Sequence, residues 1–136
     1  MALEFVDTNI LIYAHDGGAG AKHAKAVDLL TRLVEVDNCA ISTQVLVEFF
    51  AAATKKLGMS GQEAENILGD MAGWPLHRPD HADIMAAARL QRRHKISWWD
   101  ALIVQSAGAL ACTTLWTEDI SAGHRYGSLT ARNPFV

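Results

Sequence analysis

Four carboxylate side chains stand beside or within apolar segments of this 136-residue chain: Asp7, Glu48, Asp100 and Asp119. Asp7 closes an apolar run, Glu48 interrupts one, Asp100 precedes one, and Asp119 follows one shortly after its end. An acid in such a place is costly unless it caps a helix, pairs with a partner or binds a cation. If the fold brings the four together, their mutual repulsion requires a divalent metal ion.

The types of ligand restrict the metal that such a site would take. Carboxylate oxygens select Mg²⁺ or Mn²⁺ over Zn²⁺, and no His or Cys in the chain has metal-ligand spacing. A magnesium site of this kind can activate water and stabilise charge on a phosphate during in-line displacement. The chain has no Gly-rich phosphate loop, so nucleoside-triphosphate chemistry is not indicated.

Each of the four acids also has a structural explanation. Asp7 can cap the helix that follows it, and Asp100 lies three residues after Ser97 in a capping pattern. Asp119 can be a turn residue, and Glu48 can be a solvated helix position. Taken singly, Asp100 and Asp119 are better explained by capping or solvation, whereas apolar residues on both sides of Glu48 favour a functional role. For Asp7 both explanations stand.

Composition and length fit a single globular domain covering residues 1–136. Hydrophobic residues make up 50% of the chain and charged residues 20%, with no low-complexity tract. The net charge of −3 does not suggest a nucleic-acid binder, although an acidic site on a basic rim can still sum to a negative total. Cys39 and Cys112 lie in short apolar segments, which predicts buried thiols in a reducing compartment.

The chain carries no signal for secretion or membrane insertion. Its N-terminus lacks a basic region, so we expect no signal peptide. The longest apolar stretch, residues 98–116, contains Asp100 and Gln105 and is a poor membrane span. We therefore expect a cytoplasmic protein that does not contact a membrane.

Hydrophobic periodicity predicts strands that alternate with helices. The predicted strands cover residues 3–6, 39–41 and 112–116. The predicted helices cover residues 8–15, 21–36, 43–57, 61–72 and 97–109, with a further helix that starts at residue 80 and passes through residues 84–90. Residues 74–78 form an edge strand or a loop because prolines stand nearby, and residues 128–136 hold one weak strand and an Asn-Pro turn. The alternation predicts an α/β fold with a parallel sheet flanked by helices.

The same pattern places the acids. In open parallel sheets, ligands bind beyond the carboxyl ends of the strands. Asp7 follows the first strand directly and Asp119 lies just past the last clear strand, so both are predicted at one end of the sheet. Glu48 and Asp100 stand early in two helices, where short loops from that end could deliver them.

Four segments, in this order and at this spacing, resemble the motifs of PIN-domain ribonucleases, in particular VapC-type toxins of toxin–antitoxin pairs. They are residues 5–11 (FVDTNIL), 44–49 (QVLVEF), 97–103 (SWWDALI) and 115–119 (LWTED), the last followed by residues 133–135 (NPF). Each motif alone is weak, whereas the ordered set spans nearly the whole chain.

The resemblance implies a three-layer α/β/α sandwich with a central, mainly parallel sheet, which is PIN-like and Rossmann-like. It also implies an endoribonuclease toxin that hydrolyses RNA phosphodiester bonds with a water activated by Mg²⁺, for which Mn²⁺ can substitute. By motif position, Asp7 and Asp100 are the principal metal ligands, and Glu48 and Asp119 complete the site directly or through water. The last motif varies most in the family, so Glu118 is an alternative to Asp119.

The resemblance has further implications for supporting residues and partners. Thr8, Asn9 and Thr117 are expected to support the acids or to position the substrate. The expected partners are an RNA substrate, a second copy in a homodimer, and a cognate antitoxin protein. The antitoxin is expected to insert a segment near the active site, and operator DNA is expected to be contacted only through it.

Two other functions remain open. A receiver-like phosphoacceptor also has a parallel sheet with acids at its carboxyl end, but it needs paired acids after the first strand and a Lys after the last. Asp7 has no acidic neighbour, and residues 117–119 contain no Lys. A non-catalytic binding domain with an acidic pocket is the other alternative, against which the presence of all four acids argues.

Other residues have competing explanations. A basic run at a helix C-terminus is attributed to the helix dipole and solvent, with contact to RNA phosphates as the alternative; it comprises Arg89, Arg92, Arg93, His94 and Lys95. Trp98 and Trp99 could stack on bases, but we expect at least one to pack in the core. Phe49 and Phe50 are expected in the core or in a dimer interface, and His15 and His124 on the surface.

Overall fold

The computed structural model describes residues 2–136, in which six α-helices flank one six-stranded sheet. The strands are β1 (Glu4–Val6), β2 (Cys39–Ser42), β3 (Leu76–His77), β4 (Thr114–Trp116), β5 (Arg125–Tyr126) and β6 (Leu129–Arg132). The helices are α1 (Thr8–Ala14), α2 (Ala21–Glu35), α3 (Thr43–Lys56), α4 (Gly61–Asp70), α5 (His81–His94) and α6 (Trp98–Ala109). The predicted α/β class and the alternation of strands and helices are confirmed.

The sheet has the order β3-β2-β1-β4-β6-β5. Every neighbouring pair is parallel except β5 and β6, which form an antiparallel hairpin. Phe5 and Val6 are consecutive in β1 and both are 0% exposed. Because consecutive side chains point to opposite faces of a sheet, both faces must be covered, as a three-layer arrangement requires.

Two segments differ from the sequence-based prediction. The predicted strand at 112–116 is shorter, because the N–H of Cys112 bonds to the carbonyl of Ala107 and closes the end of α6 instead. Strand β5 was not predicted, since two residues are too few to show a period. The Gly127-Ser128 turn that joins β5 to β6, with φ of 65° at Gly127, was its only sequence signal. The segment left open at 74–78 contains the edge strand β3.

The expectation for the tryptophan pair is wrong. Trp98 is 36% exposed and Trp99 is 62% exposed, so neither packs in the core. Both occupy the first turn of α6, and the buried face of that helix begins only at Ala101. Phe49, by contrast, is fully buried, and its neighbour Phe50 is 39% exposed.

Both cysteines are buried as predicted. Cys39 and Cys112 are free thiols, each 1% exposed. Burial raises the pKa of each to about 12, so neither is a reactive thiolate near neutral pH. Within residues 2–136, no helix is both long and apolar enough to cross a lipid bilayer.

The carboxyl ends of β1, β2 and β4 lie side by side because these strands are parallel neighbours. The N–H of Asp7 donates to the carbonyl of Trp116 at 3.0 Å, which joins the residues where β1 and β4 end. At the end of β2, the hydroxyl of Ser42 accepts from the N–H of Val45 at 3.4 Å and starts α3. Three chain segments therefore leave the sheet at one place, and each can deliver a side chain there.

Candidate active site

Asp7 is both a helix cap and a buried acid, so its capping role does not exclude a role in the acidic site. Its Oδ1 accepts from the N–H of Thr8 at 2.7 Å, and its Oδ2 accepts from the hydroxyl of Thr117 at 2.9 Å. Asp7 is 6% exposed, and burial raises its pKa to about 6. The two hydrogen bonds lower that pKa, whereas the charges of Glu48 and Asp119 raise it further.

Glu48 is held by hydrogen bonds to both of its oxygens. It lies in the second turn of α3, where Oε1 accepts from the hydroxyl of Thr8 at 2.8 Å. Oε2 accepts from the side-chain amide of Gln44, one turn earlier, at 3.2 Å. The same amide of Gln44 donates to the carbonyl of Trp99 at 3.4 Å, which ties α3 to the start of α6. Glu48 is therefore an oriented carboxylate and not a freely solvated one.

Asp100 stands in the first turn of α6, where the capping arrangement is only half formed. The hydroxyl of Ser97 accepts from the N–H of Asp100 at 3.1 Å, but the reciprocal bond to the Asp100 carboxylate is not found in the described chain. Helix α5 has the complete version between Asp80 and Asp83. The Asp100 carboxylate therefore does not complete a capping box. Burial raises its pKa, although its interaction with the Ser97 side chain lowers it, and the charges of Asp119 and Glu48 raise it further.

Asp119 is exposed, on the loop that follows β4. Its Oδ2 accepts from the side-chain amide of Asn9 at 2.9 Å, and its N–H donates to the hydroxyl of Thr117 at 3.1 Å. The charge of Asp119 raises the pKa of both Asp7 and Asp100. Asp119 consequently lies within the electrostatic reach of the other acids.

Glu118 is directed into a separate network. Its carboxylate accepts from the hydroxyl of Tyr13 at 2.8 Å and forms a salt bridge with Lys22. The hydrogen bond from Lys22 holds the pKa of Glu118 below its usual range. Glu118 does not contribute to the pKa shifts of Asp7 or Asp100. Of the two acids considered for the fourth position, Asp119 is the one the fold brings toward the others.

The three polar residues singled out beside the acids each donate to a different carboxylate. Thr8 donates to Glu48, Asn9 to Asp119 and Thr117 to Asp7. The sequence did not single out Gln44, although its position one turn before Glu48 on α3 is the spacing at which helical side chains meet. A cavity of about 540 Å³ opens beside this network, and its lining includes Thr8, Asn9, Glu48 and Asp119. His15 and His124 are exposed, as expected.

The negative charge of this cluster has no partner within the protein. In the described residues, no Lys, Arg or His forms an ion pair with Asp7, Glu48, Asp100 or Asp119. Hydrogen-bond donors hold Asp7, Glu48 and Asp119, and each of their oxygens has a second lone pair left for a further partner. The chemistry of these donors, oxygen only and jointly negative, fits a hard divalent cation.

The side chains do not form a complete cage for such an ion. Within residues 2–136, no three His, Cys, Asp or Glu side chains converge closely enough to hold a metal. Magnesium is usually bound through one or two carboxylates and keeps several of its waters, so a complete protein cage is not required. The donor types therefore suit a hydrated Mg²⁺ or Mn²⁺ better than an ion stripped of its waters.

Comparison with known families and structures gives consistent results. The family model described as the PIN domain matches residues 5–125. No curated protein sequence matches the chain significantly.

Solved structures of toxin–antitoxin proteins share the fold. A toxin–antitoxin complex from Klebsiella pneumoniae has a TM-score of 0.70 at 20% identity, covering 96% of this chain and 97% of the other. VapBC2 from Rickettsia felis, bound to a promoter DNA fragment, has a TM-score of 0.68 at 21% identity, covering 96% and 98%. VapC20 from Mycobacterium tuberculosis, a toxin that cleaves the sarcin-ricin loop, has a TM-score of 0.62 at 17% identity, covering 82% and 85%. At these identities the likeness establishes a common fold.

Proposed function

Because the chain belongs to the PIN domain family, we propose that it is an Mg²⁺- or Mn²⁺-dependent endoribonuclease and the toxin of a toxin–antitoxin pair. The observation that carries the proposal is the uncompensated cluster of four carboxylates beyond the carboxyl ends of parallel strands. PIN domains are typically metal-dependent nucleases. VapC20, whose fold is similar, is a toxin that cleaves the sarcin-ricin loop.

The surroundings of the four acids suggest which of them would bind the metal ion directly. Asp7 and Asp100 would hold the ion, since both are partly or fully buried beside acids whose charges raise their pKa. Glu48 and Asp119 would complete the site directly or through water. A bound Mg²⁺ supplies a Lewis acid that activates water and stabilises the charge developing on the phosphate.

The hydrogen-bond donors around the acids keep them charged and oriented. Thr8 and Thr117 both lower the pKa of Asp7, opposing the burial that raises it. In the proposed reaction the oxygen of water bonds to phosphorus, the bond from phosphorus to the leaving ribose oxygen breaks, and that oxygen receives a proton. No covalent enzyme intermediate is needed.

The direct test is cleavage of a structured RNA by the purified protein in Mg²⁺ or Mn²⁺, with and without excess chelator. We expect cleavage with the metal and none with the chelator. Asp7→Asn and Asp100→Asn should each abolish cleavage. The matched control is Asp28→Asn, which neutralises an exposed acid on α2 and should leave cleavage unchanged. Equal cleavage in excess chelator would contradict the metal mechanism.

Of the two alternative functions, only the non-catalytic binding domain still has to be distinguished from the nuclease. Membership of the PIN domain family removes the support for a receiver-like phosphoacceptor. A non-catalytic binding domain would bind Mn²⁺ and RNA without cutting the RNA, so the same assay separates it from the nuclease.

A cognate antitoxin and a second copy of the chain are the proposed protein partners. Similar folds occur in toxin–antitoxin complexes, and two of those complexes were solved with bound DNA, which supports an antitoxin that carries the contact with operator DNA. For the second copy we propose an apolar patch on α3, α5 and α6. The patch consists of Val47, Phe50, Ile84 and Trp99, which are 70%, 39%, 39% and 62% exposed.

The members of this apolar patch lie close together. Val47, Ile84 and Trp99 line one shallow cavity of about 340 Å³, and Val47 and Phe50 line another of about 310 Å³. Exposed apolar side chains that form a continuous surface mark an association site. Glu48 lines the first of these cavities, so a second copy on this patch would lie beside the acidic cluster.

A further inference from the structure

A basic cleft runs between α5, α6 and the β5–β6 hairpin, with a volume of about 510 Å³. Its cations are Arg89 and Arg93, with His94 beside them, and no Asp or Glu of the described chain lines it. Arg89 and Arg93 are one turn apart on α5, so they share a helix face. In residues 2–136 neither arginine forms a salt bridge. The cleft therefore holds positive charge that the protein itself does not neutralise.

One end of the basic cleft lies beside the acidic cluster. The ring of His94 packs against Tyr126 with centroids 4.7 Å apart, and the ring of His124 lies 5.6 Å from that of His94. Val104 lines the cleft and lies one turn after Asp100 on α6, so Asp100 is close to this end. The cleft extends away from that point along α5 and α6.

The helix dipole does not account for this arrangement. The dipole favours cations in the last turn of a helix, and α5 has Arg92, Arg93 and His94 there. Arg89 lies before that turn, yet it lines the cleft with Arg93. Arg92, although in the last turn, does not line it. An arginine can therefore line the cleft without lying in the last turn, and the reverse. Mutating these arginines one at a time separates an effect of the cleft from an effect of the helix dipole.

We propose that the basic cleft binds the phosphate backbone of the RNA strand whose scissile bond lies at the acidic cluster. The proposal rests on the proposed nuclease function and names how that site gains its substrate. A chain of net charge −3 with an acidic site repels RNA unless positive charge is concentrated where the strand runs. Arginine suits this role because its planar guanidinium donates two hydrogen bonds to one phosphate.

The test measures the binding of a fluorescently labelled single-stranded RNA to the protein in EDTA, by fluorescence anisotropy over a range of salt concentrations. Arg93→Gln is compared with Arg92→Gln, since both remove one arginine from the last turn of α5. Loss of one phosphate contact lowers the log–log salt slope by about 0.7, which is about fourfold in Kd at ~0.15 M salt. We expect this loss for Arg93→Gln and about twice the slope change for the double variant Arg89→Gln/Arg93→Gln. Arg92→Gln should bind like the wild type.

Other results overturn the proposal. Equal weakening by Arg92→Gln and Arg93→Gln would show diffuse attraction by the surface of α5, and no weakening by either would show that RNA does not use the cleft. Preferential binding of a polyglutamate peptide, lost in Arg93→Gln, would assign the cleft to an acidic protein partner instead. Failure of the nuclease function is distinct: RNA would bind through Arg93 in EDTA and remain uncut in Mn²⁺.

Discussion

The hydroxyl of Thr117 donates a 2.9 Å hydrogen bond to Oδ2 of Asp7, joining the residues that directly follow β4 and β1. Thr117 is 0% exposed and Asp7 6% exposed, so water does not replace this bond when it is lost. The same hydroxyl accepts from the N–H of Asp119. One buried side chain thus orients one acid and anchors the loop that carries another.

Replacing Thr117 with valine should separate its support of Asp7 from its packing, because the two side chains have nearly the same shape. Without the hydroxyl, the pKa of Asp7 rises further, so metal binding and cleavage should require a higher pH. We also expect about a tenfold loss of Mn²⁺ affinity, typical for removal of a group that orients a ligand. A control is Thr54→Val, whose hydroxyl bonds only within α3. An unchanged pH profile for Thr117→Val would contradict this role.

Asp7→Asn should stabilise the metal-free protein at neutral pH. The folded-state pKa of Asp7 is raised from its ordinary 3.8 to about 6. The protonated form of Asp7 therefore stabilises the fold. This contribution is fully present below pH 3.8 and is lost as the pH rises through about 6. The ionised form costs about 3 kcal/mol on this basis, while asparagine still caps α1. The gain in melting temperature should thus be large at pH 8 and shrink toward pH 4, and a lower melting temperature at pH 8 would show that the acid serves mainly as a cap.

Asp119 and Glu118 should differ in their effect on metal binding, although they are adjacent in sequence. Asp119→Asn removes a charge that acts on Asp7 and Asp100, so Mn²⁺ affinity measured by calorimetry should fall about tenfold. Glu118→Gln removes a charge that is paired with Lys22, so affinity should change little. A larger loss for Glu118→Gln would assign the fourth position to Glu118.

A charge placed in the apolar patch should disrupt the proposed homodimer. Val47→Asp puts a carboxylate on a side chain that is 70% exposed at the centre of the patch. Light scattering coupled to gel filtration should then report a monomer. Val36→Asp is the matched control, because Val36 is 48% exposed just beyond α2 and outside the patch. The proposed interface is excluded if the wild type is a monomer, or if both variants remain dimers.

Much of the fold follows from local signals in the sequence. The helices predicted to begin at residues 43, 61, 80 and 97 start within one residue of the observed N-caps, which are Ser42, Ser60, Asp80 and Ser97. These signals can be recognised in the sequence because the side-chain oxygen of an N-cap accepts a hydrogen bond from a backbone N–H only a few residues away. The same locality explains why Asp7 and Asp119 could be assigned to one end of the sheet.

Features that depend on distant contacts could not be inferred. The amide of Gln44 bridges Glu48 and the carbonyl of Trp99, which lies 55 positions away in the chain. Glu118 turns to Lys22 across 96 positions, and nothing in the local sequence favours that orientation over the one taken by Asp119. The exposure of both Trp98 and Trp99 was also missed, since large apolar residues are usually buried.

The central claim is that the carboxylates at the end of the sheet bind a divalent cation. Anomalous diffraction from a crystal soaked in Mn²⁺ measures this directly. The expected result is a manganese peak within coordination distance of carboxylate oxygens of Asp7 and Asp100, with Glu48 and Asp119 bound directly or through water. A crystal with Mn²⁺ elsewhere and none at these carboxylates would contradict the account.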